Sequence, residues 1–73
     1  MTVNNSKTMT VLLSALGFIE NQDYKQVDDK VEINVTMNDL IYAINSTEED
    51  VQYIFGDTQE WDELTLLWKN LKT

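Results

Sequence analysis

Residues 31–55 read VEINVTMNDLIYAINSTEEDVQYIF, and inside this stretch the spacing of apolar side chains changes period. Val31, Ile33 and Val35 alternate with Glu32 and Asn34, the period-two pattern of a strand with one buried face. From Thr36 the spacing becomes helical, with Met37, Leu40, Ile41 and Ile44 at i, i+3, i+4 and i+7. Thr36-Met37-Asn38-Asp39 is a variant of the capping box, with Asp39 where Glu or Gln is usual. Asn45 is a residue type that tolerates the left-handed conformation ending a helix. Thr47 is placed to cap the next helix. Glu48, Glu49 and Asp50 fall in its first turn, where the positive end of the dipole favours carboxylates. Val51, Ile54 and Phe55 form its inner face and Gly56 stops it.

Upstream, Tyr24 to Val27, the polar turn Asp28-Asp29-Lys30 and the strand from Val31 predict a β-hairpin. A lone hairpin is marginal in water, so this one must pack on helices. Met9, Leu12, Leu13 and Leu16 predict a first helix over 8–16, capped by Ser6 or Thr8. Gly17 stands where a left-handed C-cap is wanted, and Phe18 can fold back on Leu13. Residues 1–6 are mostly polar and read as a flexible tail, leaving 7–73 as a single small globular domain. Downstream, Asp57 or Thr58 caps a last helix with the apolar face Trp61, Leu64, Leu67, Trp68 and Leu71. Lys69 and Lys72 lie in its final turn, where cations suit the dipole. The expected fold is α+β and mainly helical, in the order α-β-β-α-α-α, with one hairpin packed on a small helical bundle. The expected core is Leu12, Leu13, Leu16, Ile33, Val35, Leu40, Ile41, Ile44, Val51, Ile54, Leu64, Leu67, Trp68 and Leu71.

Charge is sorted along the chain. Between Val31 and Trp68 stand Glu32, Asp39, Glu48, Glu49, Asp50, Asp57, Glu60, Asp62 and Glu63, with no Lys, Arg or His. All five lysines lie outside that stretch, and the net charge is −8. Such a balance repels nucleic acid and anionic lipid and attracts basic protein surfaces, although net charge taken alone is also a solubility device. With no His and no Cys, the commonest general base, the usual zinc ligands and the thiol nucleophile are missing. The Asp57 to Glu63 acids lack the alternating spacing and turn glycine of a calcium loop, and no Gly-rich phosphate loop occurs. The expectation is a non-enzyme with no catalytic, metal or cofactor residues. No apolar run approaches the roughly 18 residues of a membrane span, and Met1 to Ser6 lack the basic and apolar regions of a signal peptide. A cytoplasmic protein of a bacterial host, monomeric when free, is expected.

Leu40, Ile44, Val51 and Ile54 are apolar at the helix-packing positions of a helix-turn-helix, with Asn45 at the turn and Gly56 after the second helix. Over 40–54 the chain resembles the phage repressor and Cro family, which implies a second helix entering the major groove. The exposed positions of that helix would here be Glu48, Glu49, Asp50, Gln52 and Tyr53. Acids there oppose the counterion release that drives DNA binding. In length, acidity and its richness in Asn, Thr and Ile, the chain is also similar to small phage host-takeover regulators that bind host RNA polymerase. That likeness implies a partner class. The expected function is a phage-type regulator that binds a basic surface of a host nucleic-acid enzyme, RNA polymerase being favoured, and inhibits or redirects transcription. It would not touch nucleic acid or membrane directly. The partner-binding residues would be Glu48, Glu49, Asp50, Gln52, Tyr53, Glu60, Trp61, Asp62 and Glu63. Three alternatives stay open: a DNA mimic inhibiting a nuclease, restriction or CRISPR system, a helix-turn-helix transcription factor, and a structural or assembly protein that self-associates.

Overall fold

The structure is a computed structural model that describes residues 2–72, apart from the side chains at 68 and 70–72. Its elements are β1 (Thr2–Asn4), α1 (Lys7–Ala15), β2 (Tyr24–Val27), β3 (Lys30–Ile33), α2 (Met37–Asn45), α3 (Glu49–Phe55) and α4 (Gln59–Lys72). The fold is a small, mainly helical α+β, as the sequence implies. It differs in its sheet. The expected hairpin forms, with Tyr24 opposite Ile33 and Val27 opposite Lys30. The Asp28-Asp29 turn closes it, with Asp28 in the left-handed region at φ 55°. A third strand is added on the far side of β3, giving the antiparallel order β1-β3-β2.

That third strand corrects the reading of residues 1–6 as a flexible tail. Thr2, Val3 and Asn4 pair with Glu32, Val31 and Lys30. Val3 is one apolar residue among polar ones, too few for a periodicity. Yet it alternates correctly with its neighbours and is 1% exposed beneath the helices. Ser6, just after β1, takes extended backbone and its Oγ accepts the Met9 N–H at 3.0 Å, so it caps α1.

α1 ends as its glycine suggests. Gly17 has φ 96°, its N–H donates to the Ser14 carbonyl, and the Phe18 N–H donates to the Leu13 carbonyl at 3.1 Å. This pair of bonds is the Schellman arrangement, and Phe18 packs half-buried against the core. α2 is capped by Thr36, whose Oγ1 accepts the Asp39 N–H at 3.1 Å. It does not end on a left-handed Asn45. Asn45 is its last helical residue and Ser46 follows at φ −94°. Thr47 does not cap α3 either. Its hydroxyl donates back to the Ala43 carbonyl at 2.7 Å, a satisfied bond one turn earlier, and Glu48 takes the cap position with no side-chain bond. Thr58 caps α4, its Oγ1 accepting the Trp61 N–H at 3.2 Å.

The core lies between the helical face of the sheet and the four helices. Val3, Tyr24, Val31 and Ile33 come from the strands, Met9, Leu12 and Leu13 from α1, Leu40 and Ile44 from α2, Phe55 from α3 and Leu64 from α4. Leu16, Val35, Val51, Trp61 and Leu67 are half-buried around it. Ile41 is also only half-buried. Ile54 is a clear correction, being 64% exposed while Phe55 is 8% exposed. A helix turns about 100° per residue, so Val51 and Phe55 share the inward line and Ile54 lies about 80° off its centre. A helix of seven residues has no second line to bury. The core expectations for Trp68 and Leu71, and the terminal position of Lys72, lie outside the described side chains.

Candidate functional site

The nine residues expected to bind a partner separate into two groups. Glu48, Glu49, Asp50, Gln52 and Tyr53 are all exposed, and Tyr53 is 90% exposed. Among the described residues no side chain pairs with the carboxylates of Glu48, Glu49 or Asp50. The Gln52 amide is engaged, donating from Nε2 to the Thr47 carbonyl at 3.1 Å. With Ile54 on the flank, α3 shows solvent three carboxylates, a phenol and a branched aliphatic side chain. It holds to the body through Val51 and Phe55.

The α4 group has other work. Glu63 Oε2 accepts the backbone N–H of Asn4 at 3.1 Å, and Glu60 Oε2 accepts the Ser6 hydroxyl at 3.2 Å. The register explains the first bond. Opposed pairs alternate along an antiparallel ladder, so with the Asn5 N–H donating to the Asp29 carbonyl, Asn4 directs its N–H away from β3. An unpaired strand edge is an invitation to foreign strands, and here α4 lies along it with a carboxylate on the free donor. Lys30 Nζ meets the Asn4 side-chain oxygen at 2.8 Å and holds the same corner. Trp61 is half-buried against the core. Of the four α4 residues only Asp62 is exposed, so this group forms no continuous surface with the acids of α3.

Three further features lie outside the nine expected contact residues. Tyr42 is 73% exposed on α2. Asp39, treated as a capping residue, keeps its carboxylate in solvent, because the cap uses its backbone N–H. An open groove of about 550 Å³ runs between the end of α1, the outer side of α2 and the start of α3. Helical phase agrees with the exposure of Tyr42, which falls outside the Met37, Leu40, Ile41 and Ile44 stripe. The groove depends on how three elements meet and has no sequence signal.

Among the described residues, no cluster of His, Cys, Asp or Glu is arranged to hold a metal ion, and no helix is long and apolar enough to cross a membrane. No protein-family model matches the chain, and no curated protein or solved structure matches it. What the site can do therefore rests on its own geometry, and what it presents is negative charge with no side-chain partner among the described residues, beside exposed aromatic and aliphatic surface.

Proposed function

We propose that the protein is a non-enzymatic, phage-type regulator that binds a basic surface of a host nucleic-acid enzyme, with bacterial RNA polymerase the favoured target. The observation that supports this most is α3. A solubility helix needs charge but has no use for a 90% exposed Tyr53 and a 64% exposed Ile54 beside it. Tyrosine is enriched where interfaces concentrate their binding energy, and charges around such an anchor steer encounter and set orientation. Glu48, Glu49 and Asp50 steer, and Tyr53 anchors with Ile54. Glu60, Glu63 and Trp61 are withdrawn from the contact set because their side chains serve the fold. Asp62 stays as an outlying steering charge.

The test is a pull-down from bacterial lysate at low and high salt, read by mass spectrometry, with the wild-type protein and with Glu48→Lys/Glu49→Lys/Asp50→Lys. Salt-sensitive recovery of RNA polymerase subunits by the wild-type protein, lost in the triple variant, supports the reading. Equal recovery by both proteins rejects α3 as the surface. Specific, tight binding of duplex DNA at ordinary salt would favour the helix-turn-helix alternative instead.

A further inference from the structure

The groove between α1, α2 and α3 has a composition of its own. Leu16, Phe18 and Val51 form its half-buried apolar floor, all packed against the core. Asp39, Tyr42 and Glu48 stand exposed around it. Among the described residues no lysine lines it and neither rim carboxylate has a side-chain partner. Its volume of about 550 Å³ falls in the range of roughly 300–1,000 Å³ typical of ligand sites.

We infer that this groove receives a short segment of a protein partner in which an apolar side chain is flanked by Lys or Arg. The apolar side chain covers Leu16, Phe18 and Val51. The basic side chains meet the Asp39 and Glu48 carboxylates, and the Tyr42 ring closes over the segment or stacks on a cation. Charge complementarity selects this occupant. Nucleic acid would bring phosphate against two carboxylates. A second copy of this chain would bring another −8 of charge to the same rim. The inference rests on the proposed function and deepens it: Glu49, Asp50 and Tyr53 outside the groove steer and anchor, whereas the groove reads the partner's sequence.

The full chain, labelled with nitrogen-15, is titrated with three probes: a short synthetic peptide of leucine and lysine, its leucine–glutamate counterpart, and a short duplex DNA. Saturable shifts centred on the amides of Leu16, Phe18 and Val51 are expected with the lysine peptide alone. The groove variant Asp39→Asn/Tyr42→Ala should weaken that binding about ten-fold or more. The outer-face variant Glu49→Lys/Asp50→Lys/Tyr53→Ala should leave the floor shifts in place and change affinity by less than about three-fold. Shifts centred on Tyr53 and Ile54, indifference to the groove variant, or no binding of the lysine peptide overturns the inference. If wild-type protein still recovers its partner from lysate in a salt-sensitive way, the proposed function survives that failure. Equal binding of the DNA overturns both.

Discussion

Replacing Glu63 by alanine asks whether an acid that reads as surface is in fact part of the fold. The Glu63 carboxylate accepts the outward N–H of Asn4 at 3.1 Å, on the edge of β1. A typical hydrogen bond contributes about 0.5–1.5 kcal/mol net and one to a charged group about 1.5–3. This bond is solvent-accessible, so the lower range applies and the loss should be about 1 kcal/mol. For a domain of this size that lowers Tm by about 4–8 °C. Thermal unfolding followed by circular dichroism reads the shift, and amide exchange localises it. Exchange should accelerate most at Asn4 and less at Val3 and Asn5, whose N–H groups face β3. Glu63→Gln keeps an acceptor oxygen and should lose less than the alanine variant. An unchanged Tm and unchanged Asn4 exchange in Glu63→Ala would refute the reasoning and return Glu63 to the candidate contact surface.

Leu64, fully buried on α4, should cost about 2–5 kcal/mol when cut to alanine, enough to remove much of the cooperative transition in urea. Gly56→Ala should destabilise by about 1–3 kcal/mol despite an ordinary φ of −60°, because the new Cβ would lie 2.5 Å from the Gln52 carbonyl oxygen. A Tm equal to wild type would show that the backbone there yields freely. Glu49→Lys/Asp50→Lys, by contrast, should cost no more than about 1–2 kcal/mol in chemical denaturation, the loss of two favourable first-turn charges at the helix dipole, since both side chains are exposed and have no side-chain partner among the described residues. A larger loss would mean that α3 depends on those acids to fold.

Elements with a sustained period were legible. The stripe Met9, Leu12, Leu13 and Leu16 is the inner face of α1, and Tyr24 and Val31 to Ile33 are the hairpin. β1 was not legible, because three residues give no period and its partner is reached across an intervening helix and strand. The Ile54 error has the same root. In a helix as short as α3, a one-residue shift of phase exchanges Phe55 for Ile54, and only packing against α1 decides between them. For the candidate site, sequence found the acids but could not sort them. Glu49 and Glu63 look alike in a carboxylate count. They differ because one faces solvent and the other meets an N–H that a different strand left unpaired. Such pairings join residues 59 positions apart and are written in topology, not in local spacing.

The central claim is that α3 is the contact surface for a basic protein partner. It is tested most directly by titrating purified bacterial RNA polymerase with the wild-type protein and with Glu48→Lys/Glu49→Lys/Asp50→Lys, at low and at physiological salt. The account predicts wild-type binding that weakens as salt screens the charges over about 8–10 Å, and a triple variant that binds more weakly with a flatter salt dependence. Undiminished binding by the triple variant, or no binding by the wild-type protein at either salt, would contradict it.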